Sequence, residues 1–456
     1  MELFGTAGIR GDVRTAVTPE LALAVGRAAG ADGGEFVLGR DGRTTGAGLA
    51  DAMAAGLASA GADVVRVGQV PTPTVGFASQ GRRGVVITAS HNPPTDNGIK
   101  LFADGQEYDD ESEARIEKRV DDDHDPLAWD EWGSTREVDY LPEYREAVVE
   151  YASEYGAPLD RQQIAVDCGN GMASLTTPQV VRELGGDVRA LNANVDGHFP
   201  GRESKPTAET LRDLRAFVAD GDAEFGIGHD GDADRIVVVD ADGEVVHEDT
   251  VLAILAEHYV CASEAGDPVV VTTPNASGRI DERVEAAGGR VERVRLGALH
   301  VGIANVRSEG TEETSVAFAA EPWKHIHTRF GGWIDGVASA AMFARLVAEA
   351  GLDSLRAPVT ERPYRKGDVR CPDEAKAGAM DLLGQRLPDT FPEADVDTEH
   401  GVRLSFEDGS WVLVRPSGTE PYLRVYVESD DVDEVLGAVT DVVAKAVETV
   451  SPNVND

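Results

Sequence analysis

Short apolar runs that end in polar, glycine-bearing turns alternate with helical patterns along this chain, and that alternation points to the α/β class. Residues 36–39 and 84–88 read as strands, with an alanine-rich helix over 47–61 between them. Residues 109–125 are charge-dense and predict a solvated helix plus loop. A strand at 161–166 runs into the turn Asp167-Cys168-Gly169-Asn170-Gly171, which places a boundary near Ala157. A second α/β unit extends to about residue 246, and Asp249-Thr250 is expected to cap a helix at 251–258. A strand at 269–273 opens a third unit, whose last helix follows Asp335 and ends near Gly351. Pro358 and Pro363 make 356–368 read as a linker. The remainder has a helix at 373–387, strands at 410–415 and 422–428, and an amphipathic helix at 432–447. These limits divide the chain into 1–156, 157–247, 248–357 and 358–456.

Length and charge narrow the function. The 456 residues include 82 Asp+Glu against 42 Lys+Arg, a net charge of −40, and the acids are spread along the whole length. Such a surface suits a salt-rich cytoplasm, where self-repulsion is screened over a few ångströms. No basic stripe appears, which argues against nucleic-acid binding. No apolar run is long enough to span a bilayer, and the start Met1-Glu2-Leu3-Phe4-Gly5 lacks the regions of a signal peptide, so a cytoplasmic location without membrane attachment is expected. Cys168, Cys261 and Cys371 are far apart and odd in number, giving neither a disulfide framework nor a metal knuckle.

Four segments carry chemistry. Thr88-Ala89-Ser90-His91-Asn92-Pro93 puts a hydroxyl where a strand ends, with His91 placed to polarise it. A serine needs a base, a metal or a strong electrophile to act as a nucleophile; on these residues alone, a turn with capping hydroxyls is the better reading. Asp230-Gly231-Asp232-Ala233-Asp234-Arg235 carries three carboxylates at i, i+2 and i+4, which fall on one side of an extended chain and suit Mg²⁺. A solvated acidic turn is the plain alternative. Two rivals fail on spacing. An EF-hand would need Gly and Glu where Arg235 and Ala241 stand, and the GxGxxG match at 226–231 is followed by a strand run rather than a helix. Arg415-Pro416-Ser417-Gly418-Thr419-Glu420-Pro421 has the composition of a phosphate cradle, with Arg424 on the next strand; a hairpin turn fits it equally. Near the start, Phe4-Gly5-Thr6-Ala7-Gly8-Ile9-Arg10-Gly11 presents Arg10 among glycines.

Together, in this order, these segments resemble the α-D-phosphohexomutase superfamily of phosphoglucomutase, phosphomannomutase and phosphoglucosamine mutase. Gly39-Arg40-Asp41-Gly42-Arg43, Asn97-Gly98-Ile99-Lys100 and Phe199-Pro200 extend the resemblance over nearly the whole chain. The resemblance implies three similar α/β domains with mixed sheets and a smaller α+β C-terminal domain around a central cleft. It implies a phosphoserine at Ser90 and one Mg²⁺ held by Ser90, Asp230, Asp232 and Asp234. His91, Arg10, Lys100 and His325 take catalytic places. Arg235, Glu321, Lys324, His325, Arg415, Ser417, Gly418, Thr419 and Arg424 bind substrate. The implied reaction moves a phosphoryl group between C1 and C6 of a hexose phosphate through a sugar bisphosphate, which is also the activator. A phosphosugar is the expected partner, and the chain is expected as a monomer or homodimer.

The departures lie where the sugar is chosen. The family's Gly-Glu-x-Ser-Gly-His stands here as Ala320-Glu321-Pro322-Trp323-Lys324-His325, and a Gly-Asp pair is Gly297-Ala298. Trp323 narrowing the pocket would favour a pentose such as ribose phosphate; the plain alternative turns Trp323 into its domain. Two further readings are a non-catalytic sugar-phosphate-binding paralogue, disfavoured by the intact motifs, and an aspartyl phosphotransferase using Asp230, disfavoured by Asp234 in its pattern.

Overall fold

The computed structural model describes residues 3–5, 8–122, 125–418 and 420–451. The chain forms two compact units, residues 1–251 with 317–355, and residues 252–316 with 356–456.

In the first unit, one mixed sheet runs in the order Ile9–Asp12, Asp96–Ala103, Arg83–Ile87, Glu35–Arg40, Asp63–Gln69, Thr135–Glu137. The last four strands are parallel and the first three antiparallel. Phe36, Val37, Leu38, Val85, Val86 and Ile87 are all buried, since strands covered on both faces carry continuous apolar runs. The helix Pro19–Gly30 starts on Thr18, whose hydroxyl accepts from the Leu21 amide, and on a proline at its first position. It packs with the helix Gly46–Ser59 through Val25, Met53 and Leu57.

A second mixed sheet has the order Ile236–Val239, Phe225–His229, Gln163–Asp167, Asp187–Leu191. Phe225–His229 and Ile236–Val239 pair antiparallel, with His229 opposite Ile236. A hairpin therefore follows the GxGxxG run, as the rejection of a dinucleotide fold required. Thr314–Glu321 turns back antiparallel as Lys324–Ile326, with Ala320 opposite His325 and Glu321 opposite Lys324. The helix Gly336–Ala350 is capped by Asp335, whose carboxylate accepts from the Ala338 amide, Tyr144 Oη and Trp333 Nε1.

In the second unit, Asp267–Thr272 and Arg290–Arg293 pair in parallel. A five-stranded antiparallel sheet follows in the order Tyr364–Arg370, Tyr422–Glu428, Trp411–Pro416, Val402–Ser405, Asp395–Asp397. Helices Asp373–Thr390 and Val432–Val450 bury Leu383, Leu387, Val439 and Val443 against Val412, Val414 and Val425. Buried Glu428 accepts from Ser277 Oγ at 2.8 Å, Arg279 Nη2 at 3.0 Å and Trp411 Nε1 at 3.0 Å. The molecule thus has a four-domain α/β architecture with mixed sheets and a distinct C-terminal domain.

Two local expectations are corrected. The helix Glu248–Cys261 begins at Glu248, so Asp249 and Thr250 lie inside its first turn rather than at a cap; acids there complement the helix dipole. The supposed linker at 356–368 ends early, because Tyr364–Arg370 is an edge strand paired with Tyr422–Glu428. Its charged, exposed residues are ordinary for a sheet edge and hid it from a search for apolar runs.

Candidate active site

Ser90 follows the strand Arg83–Ile87 and is fully buried, with a left-handed φ of 48° that is costly for a residue other than glycine. Surrounding contacts hold it there. Its amide donates to Thr88 Oγ1 at 2.9 Å. Arg43, buried and paired through Nε with Asp41 Oδ2 at 3.0 Å, fans its two Nη atoms onto the carbonyls of Ser90, Asn92, Pro93 and Asp96. The Gly39–Arg43 motif is therefore the frame of the serine turn, and Phe199 lies under the Arg43 guanidinium at 5.2 Å. Ser90 Oγ donates to Asp230 Oδ2 at 2.6 Å and sits 3.2 Å from His91 Nδ1.

Asp230, Asp232 and Asp234 are all buried, and one oxygen from each lies within 4.8 Å of the others. They do not converge along an extended chain, as alternation suggested. The segment turns, with Ala233 left-handed at φ 62°. A Cβ on Gly231 would meet the Ser90 carbonyl at 2.6 Å, so only glycine lets the two turns touch. Asp232 Oδ2 accepts from Thr72 Oγ1 at 2.6 Å and Thr88 Oγ1 at 3.2 Å. Lys100 Nζ lies 2.8 Å from Glu107 Oε1 and 3.5 Å from Asp234 Oδ2. Arg235 Nε is 3.5 Å from Asp234 Oδ1 and 3.8 Å from Asp230 Oδ2.

Charge is unevenly matched across this group. Burial and the neighbouring Asp234 and Asp232 push Asp230 well above the carboxylate range. Burial also acts to raise Asp234, but Lys100, Arg235 and Lys324 outweigh it and hold it low. Burial would lower Lys100; Glu107 and Asp234 prevail and raise it to about 12, so it stays cationic. Burial, with Arg235 and Arg10 nearby, holds His91 down at about 3, so it is neutral. Asp232 Oδ1 is buried without a hydrogen-bond partner among the described residues. A crowded, all-oxygen donor set with an orphaned carboxylate oxygen fits a hard divalent cation such as Mg²⁺.

A supporting layer holds this loop. The Met172 amide donates to the Gly231 carbonyl at 3.0 Å. Arg202 bridges Asp167 Oδ2 at 3.0 Å and the His229 carbonyl at 2.5 Å. His229 reaches the Arg235 carbonyl at 2.9 Å and Thr177 Oγ1 at 3.0 Å, and burial lowers it to about 4.

The segment 320–325 comes to the same loop. Lys324 forms an isolated bridge with Arg235 and lies 3.6 Å from Glu321 Oε2. The Ile236 amide faces the Trp323 carbonyl at 3.4 Å. Trp323 itself is left-handed at φ 68° and packs on the cluster containing Val237 and Val239. It is turned into its domain, so it gives no support to a narrowed pocket. His325 is buried, with Nδ1 3.0 Å from Ser339 Oγ. Arg10, on Ile9–Asp12, pairs opposite Gly98, two residues from Lys100.

The remaining predicted residues belong to the second unit. Arg415 Nη2 donates to Tyr426 Oη at 2.9 Å, while its buried Nε has no partner among the described residues. The Ser417 amide donates to the Tyr422 carbonyl at 2.9 Å, Gly418 is exposed, and Arg424 is ion-paired with Glu420. Thr419 lies outside the described residues. Lys376 was not predicted, yet its Nζ donates to the carbonyls of Ser417 at 2.6 Å and Glu420 at 2.8 Å, pinning the loop. Its one signal was rarity, as one of seven lysines. Thr72 and Glu107 were missed as well, having no local motif.

Comparison with known proteins identifies the family. The chain matches four families described as phosphoglucomutase/phosphomannomutase, alpha/beta/alpha domains I, II and III and C-terminal domain, at residues 1–126, 142–243, 247–363 and 368–445. It is 42% identical over 94% of both chains to a Thermococcus kodakarensis protein named "Phosphopentomutase". It is also 42% identical, over 98% of this chain and 99% of the other, to a "Probable phosphoglucosamine mutase" of Methanopyrus kandleri. A solved phosphoglucomutase/phosphomannomutase family protein from Burkholderia thailandensis superimposes with a TM-score of 0.86 at 28% identity, covering 99% of this chain and 98% of that one. Aspergillus fumigatus N-acetylphosphoglucosamine mutase, solved with GlcNAc-6P and magnesium, shares the fold with a TM-score of 0.60 at 17% identity, covering 98% and 96%. The chain therefore belongs to the phosphoglucomutase/phosphomannomutase family of phosphotransferase mutases.

Proposed function

We propose that this chain is a Mg²⁺-dependent phosphosugar mutase that transfers a phosphoryl group through Ser90 between C1 and C6 of a hexose phosphate. The observation that carries it is the 2.6 Å contact of Ser90 Oγ with Asp230 inside the three-carboxylate group. Asp230, Asp232 and Asp234, with an oxygen on Ser90, would hold the cation, which supplies charge neutralisation when bound.

Phosphoryl transfer needs positioning and neutralisation more than covalent chemistry. In the forward step the bond from phosphorus to Ser90 Oγ breaks and a bond to a sugar hydroxyl oxygen forms, giving a sugar bisphosphate. The sugar hydroxyl gives up its proton as its bond to phosphorus forms, and Ser90 Oγ takes one up as its own bond breaks; His91, kept neutral by burial with Nδ1 3.2 Å from Oγ, polarises that oxygen. Lys100, held cationic, Arg10 and Lys324 face the developing charge. The return step reverses these changes with the other phosphoryl group. Glu321 and His325 take ring hydroxyls, and the 415–421 loop and Arg424 are assigned a phosphate. A sugar bisphosphate would prime Ser90 as activator.

One observation keeps a pentose substrate in view. Of two relatives with equal identity, one is named for a pentose and one for glucosamine. The test is coupled mutase activity at high KCl with Mg²⁺ on glucose, mannose, glucosamine and ribose 1-phosphates, beside Ser90→Ala. Ser90-dependent turnover of a hexose phosphate is expected. Turnover of ribose 1-phosphate alone selects the pentose mutase, and activity that survives in Ser90→Ala rejects the mechanism.

A further inference from the structure

Ser339 lies in the first turn of the helix Gly336–Ala350, and its hydroxyl meets three polar groups at once. Oγ is 2.6 Å from the Asp335 carbonyl oxygen, 2.8 Å from His327 Nε2 and 3.0 Å from His325 Nδ1. A hydroxyl has one hydrogen to give and two lone pairs to offer. The carbonyl carries no hydrogen and makes the shortest of the three contacts, so the Ser339 proton lies on that line. His325 Nδ1 must then donate to Oγ, whereas His327 also has the Asp335 carbonyl as an acceptor for its N–H.

A neutral imidazole has one N–H, and burial keeps His325 neutral by lowering it to about 3. Donation from Nδ1 leaves Nε2 bare. That atom is buried and has no hydrogen-bond partner among the described residues. The ring cannot easily swing to find one. Phe318 lies 5.6 Å away, the His327 ring 6.5 Å away, and the serine is held on a helix whose cap makes contacts to Tyr144, Trp333 and Ala338. A buried acceptor kept bare by its own tautomer is matched to a donor that arrives with a ligand.

We propose that Ser339 is a positioning residue that fixes His325 as its Nδ1–H tautomer, so that Nε2 accepts a hydrogen bond from a hydroxyl of the bound phosphosugar. The second half rests on the mutase assignment; the tautomer does not.

The test is a nitrogen-15 spectrum of the histidine side chains in the full chain, with His325 assigned by its loss in His325→Asn. The expected result is a protonated Nδ1 and a bare Nε2, and an Nε2 resonance that moves on adding the sugar phosphate turned over fastest. Ser339→Ala is expected to shift His325 towards the other tautomer and lower kcat/KM about 10- to 100-fold, as for a misoriented group. A wild-type His325 protonated at Nε2, a tautomer unchanged in Ser339→Ala, or an Nε2 resonance indifferent to a turned-over sugar overturns the proposal. Should Ser339→Ala not fold, the wild-type spectrum decides alone. The expected tautomer with no turnover of any sugar phosphate overturns the mutase assignment and leaves the hold of Ser339 on His325 standing.

Discussion

Thr72 and Asp232, 160 residues apart in sequence, are joined twice. Thr72 Oγ1 donates to Asp232 Oδ2 at 2.6 Å, and the Thr72 amide donates to the Asp232 carbonyl at 3.1 Å. One Asp232 oxygen is thereby turned away while the other stays bare for a cation. Thr72→Val keeps the shape and removes the donor. Loss of such an outer contact typically costs 10- to 100-fold in metal affinity, so the Mg²⁺ concentration for half-maximal activity should rise about 10- to 100-fold. An unchanged Mg²⁺ titration would show that the hydroxyl does not orient Asp232.

Arg43 ties the serine turn to Asp41 with no solvent exposure at either side chain to speak of, 0% and 1%. Arg43→Met leaves Asp41 buried and unpaired and four loop carbonyls without their donor. Breaking a buried pair on one side costs about 3–5 kcal/mol, and a drop in the thermal midpoint measures it. Lys at this position would not restore the fan, because an ammonium cannot span carbonyls in a plane. A variant as stable as the parent would mean that the turn stands without it.

Lys324 forms an isolated bridge with Arg235, and its charge acts on both Asp234 and His91. Lys324→Met should lower kcat/KM by about 100-fold, the scale of one lost electrostatic contact to a transferring group. Lys324→Arg should recover part of the loss. Full activity in the methionine variant would restrict Lys324 to its pairing with Glu321.

His229 gives a pH dependence whose sign follows from its burial. Its folded value of about 4 lies below the ordinary 6.5. From pH 6.5 down to about 4 the unfolded chain takes up a proton that the folded chain refuses. Stability is lost over that window, by up to about 1.4 kcal/mol per pH unit. His229→Gln should flatten the fall of the thermal midpoint between pH 6.5 and 4 relative to wild type. Parallel profiles would contradict a neutral, buried His229.

The motif segments were legible as a set because each is short and local. Taken alone, the serine at a strand end, the three acids two apart and Arg-Pro-Ser-Gly-Thr between two strands each had a plain turn as a rival; their order together pointed to the family. Strand and helix positions followed from apolar runs wherever both faces are covered, as at Arg83–Ile87. The edge strand Tyr364–Arg370 was lost for the opposite reason, since it has little to bury. The geometry assumed for 230–234 was wrong because periodicity describes straight chains, and Ala233 turns this one.

What the sequence by itself determined, then, is the family and the α/β fold class, both read from short segments. Only the tertiary structure decided which distant side chains complete them. Thr72 on Asp232, Arg43 through the serine turn, Lys376 on the 415–421 loop and Ser339 against His325 have no neighbouring signal in sequence. The direction of Trp323 was likewise open until packing settled it against Val237 and Val239. The reason is physical. A turn is chosen by its own residues, whereas a buried polar atom is satisfied by whatever donor the folded chain brings within 3 Å.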